Sequence, residues 1–242
     1  MNRGIYTTSL GMTGLQRAMD VTANNLANSS TVGFKRDGLI FQDTLQRKMY
    51  ANGGIGQEVG VLGAGADAVR EFTVKEVGAL TETGNPLDMA IRTPEGMFGL
   101  KVGNEVRYTR DGAFALDAER RLVTKSGFPV LDKSGAEIVV PAGRLEVADG
   151  GLISVDGKPI AQVGVYSSNT FEKYGENLYT GPAKLPAMDE SPIAAGSIES
   201  SNVNAVESML DMVRIGRLFE LSQKSIQSQD ELLQRLISSL NE

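Results

Sequence analysis

Two heptad-patterned stretches, one at each end of the chain, constrain this sequence more than anything between them. From Ile5 the positions Ile5, Thr8, Met12, Leu15, Met19, Thr22 and Leu26 alternate spacings of three and four. An average period of 3.5 marks a helical seam that faces a partner along its length. The far end answers with Met212, Ile215, Phe219, Ser222, Ile226, Gln229, Leu233, Leu236 and Leu240 in the same spacing. As one helix, residues 205–240 would reach about 54 Å at 1.5 Å per residue, more seam than a small β domain can cover. The expected fold is therefore α+β: long N- and C-terminal helices forming a coiled coil, an extended connector, and an antiparallel β-rich central body. The expected division is 1–36 for the N-terminal helical arm, 37–71 for an extended Gly-rich connector, 72–198 for the β body, and 199–242 for the C-terminal arm.

The outer face of the N-terminal arm carries the second clue. Between Met1 and Phe34 the only charged side chains are Arg3, Arg17 and Asp20. A solvated face usually carries more charge than that. Thr, Ser, Asn and Gln are soluble enough alone, yet cheap to desolvate against protein. Gly4, Gly11 and Gly14 each cost about 1 kcal/mol of helix propensity, so the isolated arm is weak and needs a partner. Asn28, Ser29 and Ser30 should end it, and Gly33 supplies a left-handed turn before Phe34. At the other end Asn204 reads as an N-cap with Glu207 three residues on. Glu220–Lys224 and Glu231–Arg235 support that helix at i,i+4. A second apolar row, Val206, Leu210, Val213 and Leu221, is expected to widen the C-terminal seam, and Ser222 and Gln229 are the seam residues able to set register.

Between the arms, Asp37 to Tyr50 reads as either a short helix or a strand, followed by a run of glycines. Gly63-Ala64-Gly65-Ala66-Asp67-Ala68 fits a dinucleotide-loop pattern, but a strand-like segment through Glu71 and Thr73 follows instead of a helix, which argues against nucleotide binding. From about Phe72 to Pro192 short apolar runs alternate with turns, and Asp-Gly pairs at 111–112, 149–150 and 156–157 are hairpin signals. The expected body is an antiparallel β sandwich or an open barrel.

The chain has no His and no Cys, which removes catalytic triads, His- or Cys-ligated zinc and thiolate chemistry. Asp88, Asp111, Asp117 and Asp132 sit in turn-like contexts, and turn formation outweighs a catalytic pair. No enzyme activity, cofactor or metal is expected. A formal net charge of −6 argues against nucleic acid. Arg107, Arg110, Arg120 and Arg121 form either a partner-facing basic patch or solvated hairpin edges. No run of about 18 apolar residues exists, so no membrane insertion is expected. No cleaved signal peptide is expected either.

Several segments resemble the rod and hook family of bacterial flagellar axial proteins. They are Asn24-Asn25-Leu26-Ala27-Asn28, then Thr31-Val32-Gly33-Phe34-Lys35-Arg36, and Ser201-Asn202-Val203-Asn204 leading into Glu207. Pro86-Leu87-Asp88-Met89-Ala90-Ile91, Tyr108-Thr109-Arg110-Asp111-Gly112-Ala113-Phe114 and Gly175-Glu176-Asn177-Leu178-Tyr179 add to the likeness. Where that family has a Gly-x-Gly-Phe-Phe run, this chain has Thr93-Pro94-Glu95-Gly96-Met97-Phe98, which puts the local turn in question. The length and the missing large insert point to a rod member rather than a hook protein, with proximal and distal rod both open.

The resemblance implies a structural subunit that self-assembles with other flagellar rod proteins into a hollow, torque-transmitting shaft. It also implies passage through the flagellar type III export apparatus and a place in the basal body. The assembly interface expected from the seams and motifs is Ile5, Met12, Leu15, Met19, Asn24, Asn25, Leu26, Asn28 and Phe34 with Met212, Ile215, Phe219, Ile226, Leu233, Leu236 and Leu240. The alternative is a surface adhesin or binding module displayed on a coiled-coil stalk, which would bind an external ligand through its β body.

Overall fold

A computed structural model describes residues 3–43, 46–50, 58–63, 66–168, 170–182, 187–188 and 191–240. The fold is α+β, with antiparallel strands between two helices, α1 (Arg3–Ala27) and α2 (Ala205–Leu240). The chain forms two compact units. One comprises residues 1–27, 37–74 and 204–242, and the other residues 28–36 and 75–203.

In the first unit the segment expected as an extended connector is extended but paired on itself. Strands β1 (Asp37–Asp43) and β2 (Gln46–Tyr50) return as β3 (Glu58–Gly63) and β4 (Ala66–Thr73). The register runs antiparallel from Asp37↔Thr73 to Asp43↔Ala66, and from Gln46↔Gly63 to Tyr50↔Glu58. The strand alternative thus holds for residues 37–43 and 46–50. The segment after the dinucleotide-like glycines is β4, as its strand-like pattern indicated. Thr73 Oγ1 donates to Asp37 Oδ1 at 2.8 Å and ties off the open end of the ladder. α1 packs against β1, β4 and α2.

The second unit holds the main core. Its largest sheet has five antiparallel strands, ordered Val165–Ser167, Gly96–Val102, Glu105–Thr109, Leu178–Thr180 and Glu172–Gly175. A three-stranded meander follows, Leu145–Ala148, Leu152–Val155 and Lys158–Gln162. Two-stranded pairs and single bridges complete the unit among the described residues. The expected sandwich or barrel is therefore resolved into small ladders, because turns interrupt the strands before two wide sheets can form. Met89, Ile91, Phe98, Leu100, Leu122, Val130, Ile138, Ile153 and Val163 are buried in one cluster, with Phe98 and Phe114 edge to face at 5.1 Å.

Two of the three Asp-Gly pairs turn hairpins. Asp156 and Gly157, at φ 50° and 75°, connect Val155 to its partner Lys158, and positive φ at both positions is the type I′ requirement. Asp149-Gly150 opens the loop between Ala148 and Leu152. Asp111-Gly112 makes no hairpin. Gly112 instead passes so close to Met89 that a Cβ there would lie 1.6 Å from the Met89 carbonyl oxygen, and Met89 N–H donates to the Gly112 carbonyl. The sequence signal for a turn was in this case a signal for close backbone approach.

Candidate assembly interface

Asn204 starts α2, its Oδ1 accepting from the N–H groups of Val206 and Glu207 at 3.1 and 3.3 Å. A Cβ added to Gly4 would lie 2.7 Å from Gln229 Oε1, and one added to Gly216 would lie 4.0 Å from Met19 Cε. Residue numbers rise along α1 where they fall along α2, so the helices run antiparallel. Ile5, Met12, Leu15, Met19 and Leu26 on α1 are half-buried, as are Met212, Ile215, Phe219, Ile226 and Leu233 on α2. Leu236 and Leu240 belong to α2, but their side chains lie outside the described residues.

The Thr-rich character of α1 has a local explanation. Thr7 and Thr8 hydroxyls both donate to the Gly4 carbonyl, Thr13 donates to Ser9, and Thr22 to Ala18. These hydroxyls are satisfied inside their own helix. Covering these hydroxyls with protein leaves them no bond to replace, whether they lie on the seam, as Thr8 and Thr22 do, or off it.

The second apolar row of α2 does not widen the seam. Val206, Leu210, Val213 and Leu221 are 67, 54, 54 and 63% exposed. At 100° per residue, Val206 and Ile215 are half a turn apart, so the row lies opposite the seam. α2 therefore carries two apolar faces on opposite sides. Met209 and Leu218 are also more than half exposed. Covering each such side chain is worth about 1 kcal/mol.

Four expected interface residues separate from the seam. Asn24 is exposed on α1. Asn25 is buried and clamps β1, its Nδ2 donating to the Asp37 carbonyl and its Oδ1 accepting from Asp37 N–H, both at 2.8 Å. Asn28 Oδ1 accepts from Thr31 Oγ1 at 3.1 Å. Phe34 is only 6% exposed, with Lys173 Nζ 4.2 Å from its ring centre. The last three use their side chains within this chain, so they shape the subunit rather than offer a surface.

A buried charge cluster, not anticipated from spacing, anchors the segment around Phe34 inside the second unit. Glu199 Oε1 accepts from Lys35 Nζ at 2.5 Å, and Oε2 from Arg110 Nε at 2.6 Å. The three side chains are at most 2% exposed. Lys35 Nζ also donates to the Glu76 carbonyl at 2.6 Å, and Gly78 N–H donates to Glu199 Oε1 at 2.8 Å. Arg110 spends its remaining donors on the carbonyls of Ile91, Thr93 and Gly96. This guanidinium closes the Thr93–Gly96 turn, the stretch where the sequence departs from the family pattern. Burial holds the Lys35 ammonium below its ordinary pKa, while Glu199 pulls it back up. Gly33, at φ 67°, brings the backbone against the Arg110 carbonyl, where a Cβ would lie 2.4 Å away. The left-handed turn expected at Gly33 is present.

The four arginines read as either a partner-facing patch or solvated hairpin edges are drawn into separate contacts. Arg110 is buried, Arg107 lies over the Tyr174 ring and pairs with Glu105, Arg120 caps the Val140 and Pro141 carbonyls, and Arg121 pairs with Asp117. The four carboxylates singled out for catalysis are occupied in turns. Asp88 accepts from Thr83 and Asn85, Asp111 from Ala113 N–H, Asp117 from Arg121, and Asp132 from Ser134 and Ala136. No helix among the described residues is long and apolar enough to cross a membrane.

Paired terminal helices with strands between them define an architecture, and comparison with known proteins gives it a family. Residues 5–35 match the family described as flagella basal body rod protein. Residues 93–158 match the flagellar hook protein FlgE/F/G D1 domain, and residues 194–239 the flagellar basal body rod FlgEFG protein C-terminal family. The flagellar basal-body rod protein FlgG of Bacillus subtilis is 30% identical over 98% of this chain and 99% of its own length. FlgF of Caulobacter vibrioides is 32% identical over 99% and 98%. FlgF of Rhizobium meliloti is 31% identical over the same shares. The chain belongs to the flagellar basal-body rod protein family.

Proposed function

We propose that this chain is a structural subunit of the bacterial flagellar basal-body rod, polymerising through its terminal helices into the hollow shaft that carries torque from motor to hook. The observation that carries the reading is the two-faced α2. One apolar face lies along the α1 seam, and the opposite face, through Val206, Leu210, Val213 and Leu221, is uncovered in the single chain. Apolar patches of that kind mark association surfaces. In the assembled rod the α1–α2 pairs of many copies form an inner coiled-coil layer, with the seam and the uncovered ridge as its contacts. The internally satisfied Thr face of α1 suits the same role. The neighbours are other copies and other rod components, and the subunit reaches them through the type III export apparatus.

Length favours an FlgF-like member. The alignments to FlgF of Caulobacter vibrioides and Rhizobium meliloti need 248 and 250 positions, and that to FlgG of Bacillus subtilis needs 262. Purified hook–basal bodies labelled with antibody to this chain test both statements. Label on the shaft below the outer rings is the expected result. Label only higher on the shaft overturns the FlgF-like assignment. Absence of label, with intact flagella in a deletion strain, overturns the rod reading.

A further inference from the structure

The seam between α1 and α2 contains four polar residues of two kinds. Thr8, Thr22 and Ser222 return their hydroxyls to carbonyls of their own helices, at Gly4, Ala18 and Leu218. A side chain satisfied in that way can slide past the facing helix without losing a bond. Gln229 differs. Its Oε1 is buried with no hydrogen-bond partner, and its amide fills the space where Gly4 lacks a side chain. A Cβ at position 4 would lie 2.7 Å from Oε1, 3.1 Å from Nε2 and 3.2 Å from Cδ. The nearby seam positions Thr8 and Met12 both carry side chains. Gly11, one heptad along α1, has nothing within 4 Å of where its Cβ would be.

From this geometry we propose that Gln229 sets the axial register of α1 on α2 by requiring a glycine opposite it. Gly4 is the seat it occupies, and Gly11, one heptad along, is an open seat at the equivalent position. Slips of three or four residues drive the Gln229 amide into Thr7 or Thr8. A slip of one full heptad is tolerated at the Gln229 seat, but it gives up pairing at the N-terminal part of α2 and strains the Asn25 clamp on Asp37. A polar seam residue that specifies register in this way does so at some cost in stability. The inference concerns pairing within one chain, and it stands or falls separately from the rod reading.

The chain has no Cys, so introduced pairs report register cleanly. Met19→Cys with Gly216→Cys reports the observed register, and Met19→Cys with Gln223→Cys reports the one-heptad slip. Both are read in the full chain with a short bismaleimide. The first pair should cross-link in preference to the second by roughly tenfold, the ratio expected when one unsatisfied or clashing polar group decides between two states. Gly4→Leu fills the first seat and should reverse that preference toward Gln223. Adding Gln229→Ala should abolish the reversal, because no amide then needs a seat. Ser222→Leu should leave the preference unchanged. The proposal is overturned if Gly4→Leu fails to move the cross-link, if it moves it equally with Gln229→Ala present, or if the parent pair does not cross-link at all.

Discussion

Leu100, Val130, Ile153 and Val163 in the β body have no exposed surface, and Glu199, Lys35 and Arg110 are buried in the same unit with nearly every donor and acceptor engaged. Along α2, by contrast, Val206, Met209, Leu210, Val213 and Leu221 stand more than half exposed on a helix whose other face is already used. One unit encloses a core within a single chain, and the other leaves a continuous apolar helix face uncovered. The difference follows from chain geometry. Short strands divided by turns can fold back on one another and enclose a common core, leaving only scattered apolar side chains such as Val139 and Tyr174 exposed. A straight helix of 36 residues presents its sides to whatever lies alongside, and a single α1 covers only one of them.

The sharpest way to break the contrast is to remove the anion that the body has buried. Glu199→Ala leaves Lys35 and Arg110 in the interior without their carboxylate. Removing one partner of a buried pair costs about 3–5 kcal/mol, because the charge left behind has lost its water as well. Guanidinium denaturation of the full chain, read by tyrosine fluorescence because there is no Trp, should show the body's midpoint fall accordingly. The sign of the pH response is a second check. With Glu199 gone, burial and the Arg110 charge lower the Lys35 pKa against only the weaker pull of Glu76, so the unfolded chain holds its proton to higher pH than the folded one. Between those two values the variant should gain stability as pH rises, more steeply than the parent. A loss below about 1 kcal/mol would mean that the cluster is not what holds the segment around Phe34.

Next in size is a paired comparison on α2. Phe219→Asp puts a charge on the half-buried seam and should cost about 2 kcal/mol of α1–α2 pairing in the monomer. Val213→Asp puts the same charge on the uncovered ridge and should change monomer stability by no more than about 0.5 kcal/mol. Both should block incorporation into the rod, scored by motility and by electron microscopy of basal bodies. Normal assembly of Val213→Asp would mean that the ridge is solvent-facing in the shaft and that the association surface lies elsewhere.

What was legible in the sequence divides along the same line. The periodicity marked two helices, and the described apolar seam positions from Ile5 to Leu26 and from Met212 to Leu233 are half-buried along with some of their neighbours. The N-cap at Asn204, the Gly33 turn and two Asp-Gly hairpins were equally local. The ridge of Val206 to Leu221 was visible as apolar but misplaced, because its residues were assigned to the seam without counting the half turn between them. Glu199 was missed altogether. It meets Lys35 and Arg110 across 164 and 89 residues, and no periodicity encodes a contact of that separation. Arg110 was grouped with its neighbours as a patch or as solvated hairpin edges for the same reason: sequence proximity shows which charges adjoin in the chain, and only folding shows which of them are taken inside.

The smallest expected effect tests whether the body's interior is complete in charge as well as in apolar surface. Burial pushes the Asp111 carboxyl above its ordinary pKa, opposed by the Ala113 N–H and the Lys125 charge, and the Asp88 charge adds a little to the rise. The folded chain therefore binds this proton more readily than the unfolded chain does. Ionisation at Asp111 subtracts stability at neutral pH, and the penalty is relieved as pH falls through the raised folded value. Asp111→Asn keeps an oxygen to accept from Ala113 and removes the buried charge. It should raise the melting temperature at pH 7 by an amount worth less than about 1 kcal/mol. The gap between variant and parent should close as the pH approaches the ordinary carboxylate range, where the parent's Asp111 is also uncharged in the fold. A gap that stays constant down to acid pH would assign the effect to packing or to the turn itself. A destabilised variant at pH 7 would mean that the Asp111 carboxylate is held by attraction within the body, and that its interior charges balance more fully than the Lys35–Glu199–Arg110 cluster alone suggests.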